Sequence, residues 1–284
     1  VAHPCGDEKN KKANSHARQA ATMNQVPRKS AATIPAIHLL DGGDRGLLLQ
    51  WCHRLGVRPV EDAPPRDAVS LVFDPDGPGL LLPAAGKTVL RVDFSQGKLA
   101  HRLAQGANRE ALNKALGLTK NPGQRVVDAT GGLGRDGFLI AAIGAELCLL
   151  ERHPVLHGLL EHALQNISEH DELRPIGKRI QLIGGDAVAW LEQQAANSAE
   201  AVYLDPMFPA RDKSALVKKD MQILHALLGE TSEADNARLL APALRVASKR
   251  VVVKRPRVAP YLAEQKPDHQ QLGKSSRFDV YHCG

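Results

Sequence analysis

From about residue 121 onward the chain alternates between short apolar, β-branched runs and stretches with helical spacing, and this alternation constrains the fold more than any other feature. The strand-like runs are Arg125 to Ala129, Glu146 to Glu151, Arg179 to Ile183, Ala201 to Asp205 and Arg250 to Lys254. Between them lie Asp136 to Ile143, Val155 to Ile167, Ala187 to Ala196, Ser214 to Leu228 and Ala234 to Val246, with the spacing of helices. Such alternation predicts an α/β fold with a parallel sheet covered on both faces. The end of the chain differs. His269 to Leu272 and Arg277 to His282 are strand-like and joined by Gly273-Lys274-Ser275-Ser276, the pattern of an antiparallel hairpin.

Upstream the pattern is less regular. Residues 1–33 are rich in Lys, Asn, Ala, Ser and Gln without hydrophobic periodicity and read as a disordered tail. Residues 34–120 read as a small α/β subdomain with a connecting helix. Its apolar runs are Ala36 to Leu40, Val69 to Phe73, Gly79 to Leu82 and Val89 to Phe94; Gly46 to Leu55 has helical spacing, and a further helix is expected within Gly97 to Leu118. The breaker Asn121-Pro122-Gly123 marks the approximate boundary of a second domain, residues 121–284.

Charge narrows the partners. The chain of 284 residues carries a formal net charge of +6, concentrated at its ends. Residues 211–277 hold 14 Lys/Arg against 7 Asp/Glu, which favours a polyanionic partner. Arg211, Lys213, Lys218 and Lys219, with Lys254 and Arg255, are the candidates for contacts to an RNA backbone. An alternative stands beside this: the lysines between Ser214 and Leu228 can equally form the solvated side of a packed helix. The four cysteines show no CxxC spacing and Cys148 lies in an apolar run expected to be buried, so neither a disulfide framework nor a metal site is expected. No stretch has the apolar length to span a bilayer, and a cytoplasmic location is expected.

Two segments carry the chemistry. In Val126-Val127-Asp128-Ala129-Thr130-Gly131-Gly132-Leu133-Gly134-Arg135-Asp136 a β-branched run leads into a carboxylate and then a glycine turn, which lets backbone approach a ligand. In Tyr203-Leu204-Asp205-Pro206-Met207-Phe208-Pro209 an apolar run ends in a carboxylate followed by two prolines that bracket an aromatic. Asp128, Glu151, Asp186 and Asp205 all fall at or just after the carboxyl ends of expected strands, the rim where open parallel sheets bind ligands. S-adenosylmethionine (SAM), with its ribose diol, ammonium and sulfonium, explains four carboxylates on one rim. The spacing from Asp128 to Glu151 also suits a dinucleotide and does not by itself separate SAM from NAD.

The Asp205 turn points to an amine substrate. The lone pair of an exocyclic base amine is delocalised into the ring, so acceptors on its N–H bonds, from Asp205 and the Pro206 carbonyl, would aim that lone pair at a methyl donor. Phe208 would stack on the base. Catalysis would rest on alignment and electrostatics.

A Rossmann-like sheet closed by an antiparallel hairpin is the class I methyltransferase architecture. From about Val92 to Tyr281 the chain closely resembles the ribosomal RNA small subunit methyltransferase J family. The resemblance rests on Val92-Asp93-Phe94 with Ala100-His101-Arg102, Asp128-Ala129-Thr130 through Gly134-Arg135-Asp136, Leu150-Glu151-Arg152, Tyr203 through Pro209, Lys213 through Lys219, Lys249 through Pro256, and Arg277-Phe278-Asp279. It implies methyl transfer from SAM to N2 of a guanosine in 16S ribosomal RNA of the small ribosomal subunit. It also implies SAM contacts from Arg135, Asp136, Glu151, Arg152 and Asp205 and from the Asp186-Ala187 position, where the family carries small hydroxyl residues. Two other readings stay open: an adenine-N6 methyltransferase on nucleic acid, and a non-catalytic RNA-binding assembly factor with a SAM fold.

Overall fold

The structure is a computed structural model that describes residues 32–96, 99, 103, 111–207, 219–229, 232–273 and 276–284. The tail before residue 32, most of the helix expected within Gly97 to Leu118, and four candidate site residues, Phe208, Arg211, Lys213 and Lys218, lie outside the described residues.

The first part of the chain forms a three-stranded sheet, β1 (Ala36–Leu39), β2 (Ser70–Asp74) and β3 (Gly77–Leu81), in the order β1-β2-β3, with helix α1 (Arg45–Leu55) against it. β1 and β2 run parallel, while β2 and β3 form a hairpin. Asp44 caps α1 through the Leu47 amide (3.0 Å), and Gly56, at φ 68°, ends it in the left-handed conformation a side chain would disfavour. The expected strand from Val89 to Phe94 is not formed. Leu90 makes one bridge, exchanging two 2.8 Å hydrogen bonds with Leu80. The chain then turns where Asp93 accepts from the Ser95 amide and hydroxyl (both 2.7 Å), and Phe94 leaves to stack on Phe138 at 4.4 Å. Burying that ring in the neighbouring core wins over extending the small sheet.

After α2 (Ala111–Leu116) comes a seven-stranded sheet: β4 (Arg125–Asp128), β5 (Glu146–Glu151), β6 (Ile180–Gly184), β7 (Ala199–Leu204), β8 (Ala247–Pro256), β9 (His269–Leu272) and β10 (Ser276–His282). Its order is β6-β5-β4-β7-β8-β10-β9; the first five run parallel, and β10 is antiparallel to both β8 and β9. This is the expected α/β arrangement of a class I methyltransferase sheet. The helices are α3 (Arg135–Ala142), α4 (Pro154–Asn166), α5 (Arg174–Gly177), α6 (Ala187–Gln193), α7 (Lys219–Leu228), α8 (Glu233–Ala237) and α9 (Leu240–Val246). The single helix expected from Ala234 to Val246 is two. Pro242 has no N–H for the Arg238 carbonyl, so the ladder breaks at Arg238-Leu239, where the Leu239 amide bonds the Asn236 carbonyl in a tighter turn (3.1 Å).

Both faces of the large sheet are buried, which is why its strands read as continuous apolar runs. Alternate residues go to opposite sides: Val126, Leu147, Leu149, Tyr203 and Val252 join one core with Phe138 and Leu160, while Val127, Leu150, Val202, Val251 and Val253 join another with Leu191 and Leu240. A third core contains Ile37, Trp51, Leu71, Phe73 and Leu80 of the small sheet and α1, but also Val155, Leu156 and Leu159 of α4 and Ile223, Leu224 and Leu227 of α7. The small sheet therefore buries its apolar face against helices of the large one. Cys52, Cys148 and Cys283 are free thiols, and Cys148 is half-buried rather than enclosed as expected. Among the described residues no helix is long and apolar enough to cross a membrane.

Candidate active site

The strand order reverses at β4, which has β5 on one side and β7 on the other, and the crevice beyond their carboxyl ends is where the fold leaves room for a ligand. Asp128 pairs in register with Tyr203, so the carboxylates at the ends of β4 and β7 are neighbours. One open cleft of about 2010 Å³ lies there, larger than the roughly 300–1,000 Å³ of an ordinary small-molecule pocket and able to hold two ligands side by side.

The glycine turn is tied to β5. Gly131 donates to the Leu150 carbonyl (2.8 Å), and a Cβ on it would lie 2.8 Å from that oxygen, so no side chain fits. Gly132, at φ 54°, donates to Glu151 Oε2 (2.7 Å), while Glu151 Oε1 accepts from the His153 amide (2.6 Å). Burial pushes the Glu151 carboxyl up to about 7 although these two amides favour its charge. Asp128, 2 % exposed, accepts from the Thr130 amide and hydroxyl (3.0 and 3.2 Å). It too is pushed to about 7, by burial first, with Asp136 and Asp205 adding repulsion.

Thr130 joins the two halves of the site, because its hydroxyl oxygen accepts the Asp205 amide at 2.7 Å. Beyond it, Lys254 of β8 places its ammonium 2.7 Å from Asp205 Oδ2 and 2.8 Å from Asp136 Oδ2. The Tyr203 hydroxyl donates to the same Asp136 oxygen (2.9 Å). Burial raises the Asp205 carboxyl, Lys254 opposes the rise and Asp136 adds to it. Burial also works against the charge of Lys254, but Asp205 and Asp136 outweigh it and hold its pKa above the usual lysine value. The Asp205-Pro206-Met207 turn is fixed at its far side by Asn236 of α8, 4 % exposed, whose amide donates to the Met207 carbonyl (3.0 Å).

Residues 61–283 match the model of a family described as "Putative SAM-dependent methyltransferase". The chain is 40 % identical to ribosomal RNA small subunit methyltransferase J of Pseudomonas fluorescens, over 91 % of this chain and 97 % of that protein. To the Pseudomonas aeruginosa protein of the same name it is also 40 % identical, over 88 % and 96 % respectively. The chain belongs to the ribosomal RNA small subunit methyltransferase J family. The crystal structure of a SAM-dependent methyltransferase from Neisseria gonorrhoeae, 33 % identical, superposes with a TM-score of 0.66 over 87 % of this chain and 95 % of that one.

SAM is the cofactor of this methyltransferase family, and the residues present fit it. Gly131 leaves a cradle that a Cβ would fill, and two buried carboxylates, Asp128 and Glu151, suit a ligand bearing positive charge and a diol. Asp128, Gly131, Arg135, Asp136, Glu151, Arg152, Asp186, Ala187, Asp205 and Pro206 all line the one cleft. The roles divide differently from the expectation at several of them. Gly134 is not on the cleft wall; its φ is 69° and a Cβ would lie 2.5 Å from Leu160, so it serves the packing of α3. Arg135 pairs with Asp220 of α7 (2.8 Å). Asp186 uses Oδ1 to cap α6 through the Ala189 amide (2.9 Å), the same local task a Ser or Thr performs there.

Of Lys254 and Arg255, read as phosphate contacts, Arg255 is corrected by its burial, and Lys254 is engaged by carboxylates. Lys254 binds two carboxylates inside the site, and Arg255 is 1 % exposed, bonded to Glu233 and the Pro260 carbonyl. They point to opposite sides because neighbours on a strand do. Lys219 begins α7, exposed, with its ammonium beside Gly86. Thr130, Tyr203 and Asn236 were not singled out from sequence. Thr130 carries the signal of a hydroxyl inside the glycine turn, whereas nothing in the sequence around Asn236 marks it.

Proposed function

We propose that this enzyme methylates the exocyclic N2 of a guanosine in 16S ribosomal RNA, within or bound for the small ribosomal subunit, in the cytoplasm. The observation that carries the reading is the Asp205-Pro206 turn at the end of β7, opening into the same cleft as the Glu151 and glycine cradle. The family relatives, named for small-subunit ribosomal RNA, support the substrate class.

SAM supplies an electrophilic methyl on a sulfonium. In this reading Glu151 holds the ribose diol, and Asp128, Asp136 and Arg135 surround the rest of the ligand with Arg152 and the Asp186-Ala187 turn. The substrate amine donates to Asp205 and to the Pro206 carbonyl, which turns its lone pair toward the methyl carbon. With SAM bound, that lone pair would be placed to take the methyl, the sulfonium leaving as a neutral thioether with the C–S electrons, and the surplus proton on nitrogen would pass to Asp205 or solvent. Phe208 stacks on the base; Arg211, Lys213, Lys218 and Lys219 meet the backbone phosphates, and residues 34–120 form part of the RNA-facing surface.

The test is methyl transfer from labelled SAM to small subunits, and to their naked RNA, from a strain lacking the modification, followed by nucleoside chromatography. Label in N2-methylguanosine supports the reading. Label in N6-methyladenosine replaces the base, and no transfer to either RNA form would remove the proposed activity.

A further inference from the structure

The Lys254 ammonium is the centre of the charged network, and nothing in the reaction as written above uses it. Its side chain is 29 % exposed and comes from a strand that pairs with β7, directly behind the Asp205 turn. Two of its three N–H donors go to Asp136 Oδ2 and Asp205 Oδ2. The charged and titratable groups around it are Asp136 from α3 and Asp205 from β7, with the Tyr203 hydroxyl on Asp136; Asp128 of β4 repels those two carboxylates from behind, and opposite Lys254, β10 presents Phe278. Two carboxylates thus share one ammonium, with the Asp128 carboxyl adding repulsion behind them. Like charges this close are not all kept ionised in a half-buried site without a cation between them. A protonated Asp205 would be a poorer acceptor for an amine hydrogen, and an unclamped one would be free to rotate away.

We propose that Lys254 is the positioning residue of the transfer step: its ammonium clamps Asp205 by one carboxylate oxygen, keeps Asp205 and Asp136 ionised together, and leaves the second Asp205 oxygen for the substrate amine. The inference rests on the amine-methylating reading of the Asp205 turn. It adds to that reading a requirement for a cation at position 254. Phosphate binding, the alternative task for a lysine in a basic stretch, would show as weaker RNA affinity with the acidic limb of the transfer rate unmoved.

The first readout needs no activity. In protein labelled with carbon-13 at the aspartate carboxylates, the Asp205 signal is assigned by its loss in Asp205→Asn and followed against pH in the ligand-free enzyme. In Lys254→Met its midpoint is expected to move up by about one pH unit or more, whereas Lys254→Arg, which keeps the charge, leaves it near the wild-type position. The second readout is the single-turnover transfer rate at saturating SAM. Its acidic limb should move up with the Asp205 midpoint in Lys254→Met, with a loss of about 100-fold at neutral pH. If Lys254→Met does not fold, Asp136→Asn replaces it: with one repelling carboxylate gone, the Asp205 midpoint should move down. An Asp205 midpoint that stays put in Lys254→Met, that moves equally in both lysine variants, or that fails to fall in Asp136→Asn overturns the proposal. Failure of the amine reading shows separately, in the nucleoside labelled by the wild-type enzyme.

Discussion

Asp205 has three neighbours that define what it can do: its amide is held by Thr130, one carboxylate oxygen by Lys254, and Pro206 fixes the chain beyond it. Truncation to alanine removes the acceptor and leaves the Thr130 contact, which is to the backbone. Asp205→Ala is therefore expected to fold, with unchanged circular dichroism, and to lose about 100- to 1,000-fold or more in methyl transfer. Near-normal transfer would remove Asp205 from the mechanism. Asp128 and Glu151 make a second prediction, on stability. Both carboxyls are raised to about 7 in the folded protein from unfolded values near about 4. Between those limits the folded state holds protons that the unfolded state has released, so stability falls as pH rises through the window and levels off above it. The melting temperature of the ligand-free enzyme should drop between about pH 4 and 7, and Asp128→Asn should shrink the drop. An unaltered profile in that variant would mean that Asp128 is ionised throughout.

At the scale of elements, the glycine turn is packed at one end and lines the cleft at the other. Gly134 is both left-handed and pressed on Leu160, with Phe94 next to it, while Gly131 is pressed on backbone. Gly134→Ala should cost roughly 1–3 kcal/mol in denaturant unfolding, since the Cβ meets both strain and a neighbour. The same loop explains what was legible in the sequence. The carboxylates at the strand ends and the glycine spacing could be read directly, because a parallel sheet buried on both faces forces apolar runs that stop where polar residues begin. Val89 to Phe94 misled because a short apolar run does not say which core will take its last ring. The α8–α9 break was written in Pro242 but masked by the apolar spacing around it. The pairing of Lys254 with Asp205 is not legible in the sequence, where a cation among cations looks like a nucleic-acid contact, because only the register of β8 against β7 brings the two together.

For the whole molecule, the third core makes the small sheet and the large one interdependent. Trp51 of α1 packs edge-on to Phe73 and lies against Gly158 of α4, with Arg54 over its ring and paired to Glu161 of the same helix. Because α4 follows directly on the Glu151 strand, disturbance at Trp51 is disturbance beneath the cofactor cradle. Trp51→Ala should lower stability by about 3–5 kcal/mol, and calorimetry should still show one transition, with hydrogen exchange rising in both sheets. Two separated transitions would show that the sheets fold independently.

The turn built from Gly131, Gly132 and Glu151 is held by the protein's own groups, its amides bonded to the Leu150 carbonyl and the Glu151 carboxylate of β5. On the proposed reading its grip would fall on parts of the ligand that the reaction leaves untouched. S-adenosylhomocysteine, which keeps the ribose and adenine and loses only the methyl and the sulfonium charge, would meet the same ready-made contacts. On the proposed reading the enzyme would be disposed to product inhibition, with turnover paced by departure of the spent nucleoside, and an inhibition constant for S-adenosylhomocysteine well above the KM for SAM would refute this.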